Sequence, residues 1–275
     1  MEPAVEISPL FVLALGAAGT LLVTAGLFVY CRMVRVIAKE GGKVRQDNFG
    51  AGDLLLAGLL VVSFVSLIAR GIASPPKPVR TADMVNGVME FLVVVTFICS
   101  FLHFRRVDLV AQFGLRRISL PRAVGRGILL LLAAMPFLFA ASWVSQTGLG
   151  TDAQPQEIVK FFVEASRKSN YKAIVATMGM AVICAPVMEE FIFRGYLYGV
   201  MKRYFGITGG ILINASLFAA IHLSETSLAA LFLLAVCFTI AYEFTGSLLV
   251  NICMHSLFNL TNLLLLLYAA RHFTA

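Results

Sequence analysis

The chain has 275 residues, of which 59% are hydrophobic and only 13% charged, against roughly 25% charged in a soluble domain. That composition excludes an ordinary water-soluble globule. The formal net charge of +7 sits mostly in short loops beside apolar blocks, with no basic stripe interleaved with aromatics, which argues against nucleic acid as a partner and for the lipid bilayer.

The apolar residues come in blocks such as 10–30 and 54–69, the lengths that span a hydrocarbon core. The expected fold class is therefore all-α, a polytopic integral membrane protein with about eight transmembrane helices. The N-terminus carries Glu2 and Glu6 rather than a basic n-region, so the first apolar run is expected to be an uncleaved membrane helix. It covers about 9–33, and a basic loop with Arg32, Arg35, Lys39, Lys43 and Arg45 follows, broken by Gly41-Gly42 and Asp47-Asn48. The second span is about 52–72, ending at Ser74-Pro75-Pro76-Lys77-Pro78, where three prolines preclude a helix. The third is about 83–104. A second basic loop holds Arg105, Arg106, Arg116, Arg117, Arg122 and Arg126, with 113–121 amphipathic enough to lie at an interface. A fourth span covers about 127–144, with Pro136 as its expected kink.

The least hydrophobic stretch is 145–172. Within it 155–169 reads as a short surface helix, acidic at its start (Glu157) and basic at its end (Arg167, Lys168). Four apolar segments remain, at about 173–203, 207–223, 228–244 and 248–268, the first too long for one straight span and kinked at Pro186. Collecting the 32–48, 105–126 and 202–206 loops on one side puts thirteen Lys and Arg there against eight opposite. The richer side is expected to be cytoplasmic, with both termini outside. The organisation reads as 1–165, N-terminal helices and basic loops without an assignable motif, followed by 166–268, where the chemistry lies. Cys31, Cys99, Cys184, Cys237 and Cys253 lack C-x-x-C spacing and read as buried small hydrophobes.

An ionised group at the centre of a span costs at least about 2.5–3.5 kcal/mol, so the polar residues inside apolar segments carry the information. The N-terminal half offers Glu90 alone. The C-terminal half offers Glu189, Glu190, Arg194, His222, Glu243 and His255, with Asn214, Asn251, Asn259 and Asn262. Glu190 and Arg194, four apart, share a helix face and are expected to pair. Glu189 is rotated by about 100°, so the two carboxylates are expected to do different jobs. Glu243, near a span end, reads as an interfacial carboxylate reaching water, and Glu90 likewise; His103 and His272 lie at span ends without a role. Helical rise places Glu189 and His222 at matching depths, but His255 only about 12 Å above Ser247. Either the 245–247 turn enters the membrane or the assumed boundaries are off by a turn.

Three patterns now coincide: Glu189-Glu190-Phe-Ile-Phe-Arg194 as E-E-x-x-x-R, Phe218-x-x-x-His222, and His255-Ser-Leu-Phe-Asn259 as H-x-x-x-N. In this order on three helices they resemble the CAAX protease and bacteriocin-processing (CPBP, or Abi) family of intramembrane proteases, which includes the type II CAAX prenyl endopeptidases. The resemblance covers about 173–268. It implies a conical cavity among the C-terminal helices and an intramembrane endopeptidase acting on a membrane-proximal or CAAX-like peptide or protein, lipidated or not. It also implies roles: Glu189 as general base on water, His222 polarising that water, His255 and Asn259 facing the oxyanion, and Glu190 with Arg194 in support. Glu189, His222 and His255 would also serve as a three-ligand zinc site, although H-E-x-x-H is missing and the family has been described both as metalloprotease and as metal-free glutamate protease. The alternatives are a non-catalytic bacteriocin-immunity or scaffold protein on the same fold, and a proton-coupled transporter, against which the lack of an internal repeat argues. Short loops and positive-inside patterning suit a bacterial inner membrane.

Overall fold

The computed structural model describes residues 8–74, 78–149 and 156–272. Glu2, Glu6, the 75–77 part of the proline turn, and Pro155 lie outside them. Helix α1 (Pro9–Glu40) is followed by α2 (Ala51–Ala73), α3 (Thr81–Phe104), the single turn α4 (Leu109–Gln112) and α5 (Leu120–Leu149). Then come α6 (Glu157–Arg167), α7 (Tyr171–Gly179), α8 (Ala185–Glu189), α9 (Tyr198–Ala220), α10 (Leu228–Thr245) and α11 (Leu248–His272).

Among the described residues, seven helices are long and apolar enough to cross a membrane. Leu55, Leu59 and Val62 on α2 and Leu129 and Leu132 on α5 face outward, as lipid contact requires. The protein is an all-α, multi-pass integral membrane protein. The expectation of eight crossings is reconciled at Gly206. The fifth candidate runs over Tyr171–Ala220, 50 residues, about 75 Å at helical rise, but Gly206 breaks it with φ 70° and ψ 179°. Beyond Gly206 the chain doubles back: the Asn214 amide donates to the Phe193 carbonyl at 2.7 Å, and a side chain on Gly210 would press on the Lys202 backbone. This candidate is thus a hairpin with two arms. Helix α1 overruns its expected end by two turns, because nothing stops it before Gly41, whose φ is +80°. Pro136 lies inside a continuous α5.

The loops expected to share a side do so. Gln112, buried, donates to the Arg45 carbonyl (2.9 Å) and accepts from Asn48 (2.8 Å). The Lys43 amide donates to the Glu243 carbonyl (2.9 Å), and the Leu248 amide to that of Phe113 (3.1 Å). These bonds also settle the depth of His255. The 245–247 turn is buried beneath the 41–50 and 109–119 loops, with Gly114 packed so closely on Gly246 that a Cβ there would collide with the Gly246 carbonyl oxygen. The turn is recessed into the protein, and α11 starts deep.

Helix α6 is the expected surface helix. Its apolar face (Phe162, Ala165) packs on Ala173 and Ile174 and on Leu263, Leu266 and Leu267 of α11, while on its outer face Lys168 bonds Glu164 and holds that carboxyl below its ordinary range. All five cysteines are free, but only Cys237 is buried; Cys31 and Cys184 are exposed. The burial expectation fails there because a lipid-facing surface accepts small apolar side chains as readily as a core.

Candidate active site

The segment from Tyr171 to the Gly206 break is not a plain kinked helix. Two stretches of π-helix, Met180–Cys184 and Glu190–Leu197, flank α8. Pro186 accounts for the first. The Ala185 amide bonds the Met180 carbonyl, and Pro186 has no N–H to serve the next one, Ala181. Asn259 on α11 fills that vacancy, its amide donating to the Ala181 oxygen at 2.7 Å. In the second stretch the Tyr198 amide reaches back five residues to Phe193, and the same carbonyl takes the Asn214 bond. Each π turn is thus braced by an asparagine from another arm. Such turns concentrate at functional sites.

Glu190 is the hub. It is fully buried, with Arg194 Nη1 3.0 Å from Oε1, His255 Nδ1 2.9 Å from the same oxygen, and the Asn251 amide 3.4 Å from Oε2. The Arg194 nitrogens lie near the carboxylate without hydrogen-bond alignment. The pair is therefore held by charge, and the guanidinium lies 4.1 Å from the ring centre of Phe218 and 5.4 Å from that of Phe238, whose faces attract a desolvated cation.

Glu189 differs from its neighbour in every respect. Its side chain is 17% exposed, and its Oε2 lies 3.9 Å from His255 Nε2 with no hydrogen-bond partner among the described residues. Because a carboxylate only accepts, His255 Nδ1 carries the proton toward Glu190, and in the neutral ring Nε2 presents its lone pair toward Glu189. His222 sits in the turn after α9, its Nδ1 donating to the Phe218 carbonyl at 2.7 Å, which leaves its Nε2 without a hydrogen-bond partner among the described residues. Both imidazoles pack on Phe218, with ring centres 4.8 and 6.1 Å from it. Among the described residues no hydrogen bond or ion pair joins His222 to Glu189, Glu190 or His255.

No three His, Cys, Asp or Glu side chains among the described residues converge as a metal-binding group. Glu189, His222 and His255 therefore do not present a three-ligand set in this geometry.

Glu243 is not the interfacial carboxylate its position suggested. It is fully buried, 2.8 Å from Lys202, and accepts from the Tyr198 hydroxyl and the Val44 amide. The recessed turn carries it inward, and Lys202 at the hairpin bend, with these two hydrogen bonds, makes that burial tolerable. The sequence also gave no role to Asp53, buried and paired with Arg105, or to Asn251. The spacing i, i+4 signals the Glu190–Arg194 pair; no local signal announces pairs between distant segments. Glu90 lies on the exposed side of α3, and His103 and His272 are exposed at helix ends.

Residues 171–261 match the family profile described as Type II CAAX prenyl endopeptidase Rce1-like. The chain is also similar to the Uncharacterized 24.3 kDa protein of Escherichia coli, 28% identical over 172 residues that cover 59% of this chain and 72% of that one. No solved structure matches it. The matched segment contains Glu189, Glu190, Arg194, His222, His255 and Asn259, so the profile match supports the resemblance to the CAAX protease and bacteriocin-processing family that these motifs carry.

Proposed function

We propose that the protein is an intramembrane endopeptidase in which Glu189 activates a water for attack on a peptide bond. The observation that carries this reading is the 3.9 Å gap between Glu189 Oε2 and His255 Nε2. It is too long for a direct hydrogen bond and suits a water held by both. Glu190 fixes the far nitrogen of His255, as a third group orients the base in other hydrolytic sites. Glu189 accepts the water proton as the new C–O bond forms and returns it to the leaving amine as the C–N bond breaks. His222, with Nε2 free, polarises the water from the other helix. Asn259 spends one N–H on Ala181, and its second N–H faces the oxyanion, joined by His255 once the Nε2 of that ring is also protonated. The substrate is a peptide or protein cut close to the membrane, CAAX-like, lipidated or not, and the site lies in a bacterial inner membrane.

The test is cleavage of fluorogenic membrane-proximal peptides, prenylated and unprenylated, by purified protein reconstituted in lipid. Wild type is compared with Glu189→Gln and His222→Ala, each with and without chelator. Cleavage lost in both variants and unaffected by chelator is the expected result. Activity surviving Glu189→Gln sinks the mechanism. Activity lost to chelator and restored by zinc replaces it with a metal-assisted one. A folded wild type that cleaves nothing favours a non-catalytic role on this fold.

A further inference from the structure

Beyond the protease reading, one cavity at the loop-rich end is unexplained. It has a volume of about 610 Å³ and is lined by Arg45, Asp108, Val110, Ala111, Gly114, Arg116 and Arg117. Its walls are the 41–50 loop and the 108–117 turn, stitched together by the buried Gln112, which bonds the Arg45 carbonyl and Asn48. The floor is tight, since Gly114 abuts Gly246 and the Arg117 guanidinium lies over Gly246.

The charges here differ from others at the same end. Lys43 lies over the Phe244 ring, Arg105 pairs with Asp53, and Lys202 pairs with Glu243. Among the described residues, Arg45, Arg116 and Arg117 form no ion pair. The one carboxylate on the wall, Asp108, is turned to its own backbone, capping α4 through the Val110 and Ala111 amides at 2.9 and 3.1 Å. Three guanidinium forks against one committed carboxylate leave a net positive recess, and guanidinium matches phosphate oxygens bidentately.

Its position selects the source of that phosphate. The cavity lies between the end of α3 and the start of α5, at the membrane boundary. From Arg117 the chain enters α5, whose exposed Leu120, Val124, Ile128 and Leu132 recur every fourth residue and so form one apolar row into the bilayer. A headgroup phosphate at the arginines with its acyl chain along that row satisfies both features, as basic pockets at the cytoplasmic boundary do elsewhere. We propose that this cavity holds the phosphodiester of an anionic phospholipid.

The experiment is thermal unfolding of the full chain in detergent, titrated with short-chain phosphatidylglycerol, phosphatidylcholine or inorganic phosphate. Arg45→Gln, Arg116→Gln and Arg117→Gln are read singly and together against an Arg122→Gln/Arg126→Gln control that removes comparable charge from the same end. Phosphatidylglycerol is expected to stabilise wild type and the control at the same concentrations. Each cavity variant should shift that midpoint about tenfold upward, a loss of one charge-assisted contact. All three arginines are exposed, so the variants should fold, and the lipid-free melt of each checks that they do. Equal loss in the control means diffuse surface charge and overturns the proposal. So does phosphatidylcholine matching phosphatidylglycerol, or inorganic phosphate reproducing the effect without an acyl chain.

Discussion

Adjacent carboxylates with opposite surroundings should give opposite mutational signatures. Glu190→Gln leaves Arg194 as a lone charge in a site where both side chains are fully buried. At 3.0 Å the pair is worth about 5 kcal/mol at an effective dielectric of about 20, and breaking a buried pair from one side costs about 3–5 kcal/mol. A loss of at least about 3 kcal/mol is therefore expected. Glu189→Gln removes no hydrogen bond from its partnerless oxygen and should stay within about 0.5 kcal/mol of wild type. The assay is denaturant unfolding of purified protein in mixed micelles, run beside peptide cleavage. The decisive arm is the double variant Glu190→Gln/Arg194→Met, which removes both charges and keeps the volume. It should return to within about 1 kcal/mol of wild type yet remain poorly active, because the carboxylate that holds His255 is gone. If the double variant is as unstable as the single one, the lost charge is not the cause and the hub argument fails. If Glu189→Gln is the more destabilising of the two, the division of labour between the carboxylates is wrong.

Other expectations follow from the same contacts. Asn259→Ala strands the Ala181 carbonyl and should cost about 1–3 kcal/mol, read as a lower unfolding midpoint whether or not substrate is present; an unchanged midpoint refutes the brace. Gly114→Ala, at φ +61° and against the Gly246 carbonyl, should cost more than the about 1–2 kcal/mol of a left-handed alanine, whereas Gly58→Ala, with open space around it, should be neutral or better by about 0.5–1 kcal/mol. Lys202→Met should destabilise by about 3–5 kcal/mol and Lys202→Met/Glu243→Gln by much less, measured by the same unfolding assay.

What the sequence revealed depended on how far its signals reach. Apolar block length and proline or glycine stops placed every span to within a turn or two, because crossing a bilayer is a constraint on consecutive residues. The Glu190–Arg194 pair was legible for the same reason, being one turn apart. The failures that matter for the site are relations between distant segments. Glu243 looked interfacial because its helix appeared to end at the surface, and only the packing of the 41–50 and 109–119 loops over residues 245–247 makes it buried. That same recess explains why His255 seemed too shallow to meet Glu189. Asn214 and Asn251 were visible only as polar company, since the carbonyls and the carboxylate they serve lie on other helices.

The asparagines give the site its logic. A π turn exposes carbonyls that an α-helix would satisfy internally, and in lipid an unsatisfied carbonyl is costly. Here the two π stretches flank Ala185–Glu189, the second beginning at Glu190, and an amide from a different arm reaches each: Asn259 serves the Ala181 carbonyl that Pro186 leaves unserved, and Asn214 adds a second bond to the Phe193 carbonyl. These contacts tie the glutamate-bearing segment to α11, which carries His255, and to the second arm of the hairpin, which leads to His222. The irregular helix is thus a device for docking three separate elements in register. Without these two asparagine bonds, the placement of His255 against the glutamates would rest on its own bond to Glu190 and on side-chain packing.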